Sequence, residues 1–238
     1  MAISDIFGKK EKKPLGLYIH IPFCRSKCEY CDFCSFVPNN SVVVEHYTDA
    51  LLLQMEDWRD KCRPYEIDTV YIGGGTPTYL DLPHIQRIIE GVWRNFKVKK
   101  SAEISMESNP ATVDPESLRR IRRLGVNRLS IGVQSAVPGE LKALGRTHSV
   151  TEAEAAFNDA RRAGFENINL DLMYGIPEQT IDSFMQSLSF AASRAPEHIS
   201  LYSLKIEDGT PFARRRESLP LPGEDAEYEM YMRAVDYL

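Results

Sequence analysis

Apolar and polar positions along the chain fall into two alternating periods. Residues 15–21 form a short β-branched run with alternating character and read as a strand. Residues 43–62 place Tyr47, Ala50, Leu51, Met55 and Trp58 at helical spacing. The same switch recurs down the chain. Strands are predicted over 67–72, 102–107, 128–134, 167–173 and 198–204. Helices are predicted over 82–96, 115–124, 140–144, 151–163 and 181–193. Punctuation supports these boundaries: Pro83 suits a first helical turn, Asp114 is a candidate N-cap, and Gly125 and Gly164 are stops. Residues 209–223, rich in proline and glycine, read as a loop, and 224–238 as a helical pattern without a stop signal. Six strand–helix units predict an α/β fold with a parallel sheet wound by right-handed crossovers. Six rather than eight suggest a partial (β/α)6 TIM-like barrel, open on one side.

Composition sets outer limits. The 238 residues are 43% hydrophobic and 26% charged, as in a globular protein that buries its own core. A formal charge of −5 argues against a surface that tracks nucleic-acid phosphates. No apolar run approaches the roughly 18 residues of a transmembrane segment. Residues 1–14, with Lys9, Lys10, Lys12 and Lys13, read as a flexible solvated tail. The five cysteines and the lack of an export signal predict reduced thiols and a cytoplasmic location.

Chemistry concentrates where strands end. After the first strand come Cys24, Cys28 and Cys31, spaced Cys-x3-Cys-x2-Cys. Three thiolates in one short loop can converge on one centre, and soft thiolates suit iron–sulfur clusters. A four-iron cluster normally takes four cysteines, so three would leave one iron open. A structural zinc site is the competing reading, with Cys34 or His20 as fourth ligand, and buried free thiols are a third. The second strand ends in Gly73-Gly74-Gly75-Thr76-Pro77, which either lets a ligand approach free backbone N–H and C=O groups or makes a tight turn. It is not a phosphate-binding P-loop, since no Gly-Lys-Ser/Thr follows. Glu107, Gln134 and Asp171 lie at the ends of strands three, four and five. Each could meet a ligand or simply be solvated. Arg146 follows strand four, where it could clamp a carboxylate or form a surface ion pair. His20 and His148 read as structural. In parallel barrels the chemistry sits at this rim.

The cysteine spacing resembles that of the radical S-adenosylmethionine (SAM) superfamily. Four stretches narrow the resemblance: Tyr-x-His-Ile-Pro-Phe-Cys from Tyr18, Gly-Gly-Gly-Thr-Pro-Thr from Gly73, Asn-Arg-Leu-Ser-Ile-Gly-Val-Gln from Asn127, and Asp-Leu-Met-Tyr-Gly-Ile-Pro-x-Gln-Thr from Asp171. Together they are similar to the oxygen-independent coproporphyrinogen III oxidase family over about 15–212. The resemblance implies a radical SAM partial barrel over 15–208. It implies a 4Fe-4S cluster on Cys24, Cys28 and Cys31. SAM would be held by Tyr18, Tyr30, Gly74, Gly75, Thr76, Glu107, Gln134, Arg146 and Asp171. An external electron donor such as flavodoxin or ferredoxin would reduce the cluster, and SAM would be cleaved to methionine and a 5′-deoxyadenosyl radical.

Two departures bear on the branch. Cys34 follows Cys31 after two intervening residues, where the oxidases have one, and only 17 residues precede Tyr18. Both resemble the shorter, heme-chaperone branch, which implies heme binding and transfer to an acceptor that the sequence does not identify. That branch carries a His-Asn-x-x-Tyr-Trp motif in a C-terminal domain, absent here, so 209–238 is expected to be a loop and the start of a truncated C-terminal region. The rival expectations are the oxidase itself, converting two porphyrinogen propionates to vinyl groups, and a zinc-stabilised binding module.

Overall fold

The computed structural model describes residues 12–238. Most of the expected tail, 1–11, lies outside the described residues, while Lys13 and Pro14 already belong to the first strand. Strand β1 (Lys13–Ile21) is followed by α1 (Ser41–Cys62), β2 (Tyr65–Gly74), α2 (Leu82–Asn95) and β3 (Val98–Ser108). Then come α3 (Pro115–Arg123), β4 (Arg128–Gln134), α4 (Pro138–Ala143), α5 (Val150–Arg162) and β5 (Asn167–Tyr174). The chain closes with α6 (Ile181–Ala192), β6 (His198–Ser203) and α7 (Glu224–Tyr237).

All six strands are parallel and lie side by side in chain order, β1 to β6. They curl into a half-barrel, as the radical SAM type of partial TIM barrel requires. Helix starts carry their own signals. Asp114, Ser149 and Thr180 each accept from the backbone of α3, α5 and α6, and a serine or glutamate three residues on bonds back. Such caps contribute about 1 kcal/mol each.

Alternation along the strands gives the sheet two unlike faces. Val70 and Ile72, Ile104 and Met106, Leu129, Ile131 and Val133, and Leu170 and Leu172 are buried in the main core. The intervening residues, Tyr71, Ser105, Glu107, Ser130, Asn169, Asp171, Ser200 and Tyr202, share the concave face. A closed barrel fills this space with apolar side chains. Here it is polar, which suits a cavity.

The periodicity misjudged a few positions. β3 begins at Val98, not at 102, because Val98 pairs with Ile67 while Lys99 and Lys100 disguise the strand. In α1 the buried positions are Val44, Thr48 and Met55, whereas Ala50 and Trp58 are exposed. Short 3-10 turns at Pro77–Tyr79, Pro110–Thr112 and Ala213–Ser218 lie in stretches read as loop. Residues beyond 208 pack on the barrel: Phe212 is buried with Leu144, Met173, Ile176 and Leu204, and Met230 and Ala234 of α7 join the main core. The opposite side of α7 leaves Tyr228, Tyr231 and Val235 exposed.

Candidate functional site

The cysteine loop leaves β1 through a closed neck. Phe36 N–H donates to the Pro22 carbonyl at 2.8 Å, and Cys24 N–H to the Phe36 carbonyl at 3.0 Å. Phe23 anchors the neck, fully buried edge-on between Phe36 and Tyr47. Within the loop, the Lys27 ammonium donates to the Phe33 and Ser35 carbonyls at 2.8 and 3.0 Å. Two distant segments grip its middle. Glu29 N–H donates to the Leu144 carbonyl at 3.1 Å, and Phe212 N–H donates to the Glu29 carbonyl at 3.0 Å. Arg215 pairs with the Glu29 carboxylate at 2.7 Å.

The glycine run braces the other side. Gly75 N–H donates to the Ile21 carbonyl and Thr76 N–H to the Phe23 carbonyl, both at 2.8 Å. A Cβ on Gly75 would fall 2.7 Å from the Phe23 oxygen and 3.0 Å from Cys24 Sγ. Gly74, at φ 115°, would drive a Cβ to within 2.5 Å of the His20 ring. Of the two readings of the run, free N–H and C=O groups for a ligand or a tight turn, the N–H part of the first does not hold: those of Gly74, Gly75 and Thr76 are all taken, the first by the Glu107 carboxylate at 3.0 Å. Close backbone approach, not spare donors, is what the glycines supply here.

These walls enclose a cavity of about 340 Å³ at the C-terminal end of the strands. That volume lies at the lower end of small-molecule sites. Cys24, Cys28 and Cys31 line it, as do Tyr30, Gly74, Gly75, Thr76, Glu107, Gln134, Arg146 and Asp171. Tyr18 does not; it stacks on Tyr71, which lines the cavity, with ring centroids 6.2 Å apart. Tyr71 and Tyr202, both lining residues, were not singled out from sequence. Their alternation with Ile72 and Leu201 was the available signal.

The electrostatics are those of a site waiting for charge. Glu107 accepts from the Tyr71 hydroxyl at 2.7 Å, yet burial still raises its carboxyl above the usual range. Asp171 accepts from Ser130 Oγ at 2.9 Å and Asn169 Nδ2 at 2.7 Å, and burial raises it likewise. Neither has an ion-pair partner among the described residues. Facing them, Arg146 donates from Nη2 to the Gly132 carbonyl at 2.7 Å and from Nη1 to Cys28 Sγ at 3.6 Å. Thr76 Oγ1 donates to Cys24 Sγ at 3.6 Å.

The histidines take structural roles. A carbonyl only accepts, so His20 donates from Nε2 to the Cys34 carbonyl at 2.8 Å and accepts the Tyr18 hydroxyl at Nδ1, 2.9 Å away. By the same logic His148 donates from Nε2 to the Val133 carbonyl at 3.1 Å, leaving a bare, buried Nδ1. Cys34 is exposed and Cys62 lies on α1; neither lines the cavity.

The donor set, three thiols lining one cavity, suits a centre that takes soft thiolate ligands. A tetrahedral zinc needs every ligand atom within about 2.0–2.3 Å of one point. No three His, Cys, Asp or Glu side chains among the described residues converge that tightly. N–H and O–H donors aimed at two of the sulfurs match thiolate ligation.

The family model of the Radical SAM superfamily matches residues 18–191. The chain belongs to the radical SAM superfamily. Among curated relatives, this radical SAM chain is 40% identical over 218 residues to the heme chaperone HemW of Escherichia coli, and 39% identical over 217 residues to that of Bacillus subtilis. Those alignments cover 92% and 90% of the chain and 57% of each relative, so the chain spans under two thirds of their length. Among solved structures it is similar to the coproporphyrinogen III oxidase of E. coli, described as a radical SAM enzyme, with a TM-score of 0.88 and 31% identity. That match covers 95% of this chain and 52% of the oxidase. No helix among the described residues is long and apolar enough to cross a membrane.

Proposed function

We propose that the chain is the cofactor-binding barrel of a cytoplasmic heme chaperone, holding a 4Fe-4S cluster on Cys24, Cys28 and Cys31 and SAM in the adjoining cavity. The observation that carries this reading is the 40% identity to a heme chaperone, against 31% to the oxidase structure. The late position of Cys34 supports the same branch. When bound, the cluster and SAM supply one-electron cleavage of a sulfonium carbon–sulfur bond. The chain's part is to bind and to orient. Gly75 and Thr76 keep the backbone close to Cys24. The Glu107 and Asp171 carboxylates offer acceptors to an ammonium group or to ribose hydroxyls, and Gln134 adds an amide. Tyr71 and Tyr30 narrow the cavity and limit water around it. Tyr18 would act from behind Tyr71 unless it turns inward.

Heme or a porphyrinogen would be bound beyond this cavity, and a flavodoxin- or ferredoxin-type protein would deliver the electron. Nucleic acid is not a partner in this reading. The test begins with anaerobic reconstitution, iron analysis and calorimetry with SAM. Heme is then added to the cluster-loaded protein and its Soret band followed through gel filtration. Co-elution of heme is expected, without turnover of coproporphyrinogen. Turnover of coproporphyrinogen III in the presence of SAM and a reductant would assign the oxidase instead. A colourless protein with stoichiometric zinc would remove the cluster, and with it the whole reading.

A further inference from the structure

Beside Asp171 the concave face carries three polar side chains that do not line the cavity: Ser130 on β4, Asn169 on β5 and Ser200 on β6. They stand on adjacent strands, Ser130 in register with Asn169 and Ser200 with Asp171. Asn169 is 1% exposed and Ser130 3%. Burying an amide is costly unless its donors and its acceptor are all bonded, so the bonds of Asn169 can be followed one by one.

They run in one direction. Ser200 Oγ donates to Asn169 Oδ1 at 3.0 Å. Asn169 Nδ2 donates to Ser130 Oγ and to Asp171 Oδ1, both at 2.7 Å. Ser130 Oγ donates to Asp171 Oδ2 at 2.9 Å. An amide nitrogen has two hydrogens and a hydroxyl has one, so this set uses every hydrogen of the three side chains. The amide has only one way round. An ionised carboxylate only accepts, and Ser130 has given its hydrogen to Asp171, so both must face the nitrogen. Left alone, the last torsion of an aspartate is broad and two-fold. Here each oxygen is held by a different strand, which fixes the plane of the carboxylate. Each oxygen also keeps a further lone pair, and Asp171 lines the cavity.

We infer that Asn169 is the positioning residue of Asp171, holding the carboxylate in the one orientation that offers its free lone pairs to a hydroxyl or ammonium group in the cavity. This rests on the SAM reading given above, in which Asn169 itself touches no ligand. The same bonds favour the ionised form. Burial raises the Asp171 carboxyl, and the Ser130, Asn169 and Ser200 side chains oppose that rise. The other titratable or charged groups around the carboxyl are Tyr71 from β2, Glu107 from β3, Arg128 from β4 and Tyr202 from β6. His198 bonds Arg128 from the end of β6. Asn169 makes no hydrogen bond to any of these, so their titration is common to the wild type and to a variant at 169.

The test measures SAM affinity by calorimetry on the cluster-loaded wild type, Asn169→Leu, Asp171→Asn and the double variant, at about pH 8 and about pH 5.5. At the higher pH, Asn169→Leu and Asp171→Asn should each bind SAM roughly tenfold more weakly, as loss of a hydrogen bond to a charged group predicts. If Asn169 acts through Asp171, the double variant should be no more than roughly twofold weaker than Asp171→Asn. A carboxyl that has lost a donor takes up its proton at higher pH. The dissociation constant of Asn169→Leu relative to wild type should therefore grow at least roughly threefold on going to the lower pH. Titrations shared by both proteins, that of the SAM ammonium included, cancel in this ratio. A merely structural role would leave the ratio flat and make the two single losses multiply; either result overturns the inference. Should Asn169→Leu not fold, Ser200→Ala takes its place, since it releases only the amide oxygen. It should bind roughly threefold more weakly with the same trend in pH, and an unchanged affinity overturns the inference. A wild type that takes up the cluster but binds no SAM would instead sink the proposed function, a result distinct from all of these.

Discussion

Gln134 ends β4 with a backbone φ of 67°, a left-handed conformation that a side chain adopts at a cost of about 1–2 kcal/mol. Its strand slips register by one residue there, between Gly132 and Gln134. The strain is useful only if the amide must stand in the cavity it lines. Replacing Gln134 by glycine should therefore leave stability unchanged or raise it by up to about 1 kcal/mol, while weakening SAM binding roughly tenfold. Urea unfolding and calorimetry read the two effects separately. Lost stability with intact binding would show the side chain to be structural. His148 gives a second residue-scale expectation. Burial, reinforced by the Arg146 charge, pushes its pKa down to about 4 from 6.5. Between those values the unfolded chain binds the proton that the folded one refuses, so stability falls as pH drops from about 6.5 to about 4. Raised carboxyls such as Asp171 act in the opposite sense, so the comparison must be a difference. Wild type should lose on the order of 3 kcal/mol more than His148→Gln across that window, measured by urea midpoints at each pH.

At the scale of elements, the proposed function puts the metal chemistry on the loop between β1 and α1 and the rest on the strand ends. Alanine at Cys24, Cys28 or Cys31 should abolish iron uptake and the brown charge-transfer absorbance after reconstitution. Alanine at Cys34 or Cys62 should leave both intact, because one thiol is exposed and the other sits on α1 away from the cavity. Iron loss in the Cys62 variant with the Cys28 variant unaffected would reverse the assignment. Most of these elements could be read from the chain. β4 was legible to the residue because Leu129, Ile131 and Val133 alternate with small residues and nothing charged interrupts them. β3 was cut short because two lysines precede its apolar half. The three cysteines were legible because their spacing is local. What the sequence hid was long-range. Leu144 and Phe212 hold Glu29 through backbone atoms, which leave no trace in side-chain pattern. Tyr71 looked like any strand tyrosine until its hydroxyl was seen on Glu107. The glycine run announced close approach, but its N–H partners could be found only in the folded chain.

The whole molecule joins an orderly sheet to a site assembled from far apart. Because β1 to β6 follow one another in space as in sequence, each strand can add to an edge already formed as the chain lengthens. The cysteine loop cannot be finished that way. Its neck closes with Phe36, but Glu29 must wait for Leu144 and then for Phe212 before both its backbone groups are bonded. The thiols thus precede Leu144 and Phe212 in the chain by more than a hundred residues, and on this order they are fixed only after both. During refolding, pulse-labelled hydrogen exchange should find the β2 amides protected early and those of Glu29 and Phe212 late; simultaneous protection would refute the order. Under the proposed function, an interval of this kind would set a time at which iron can enter. Before it, the three sulfurs move independently and can be oxidised one by one; after it, they stand together behind a finished wall.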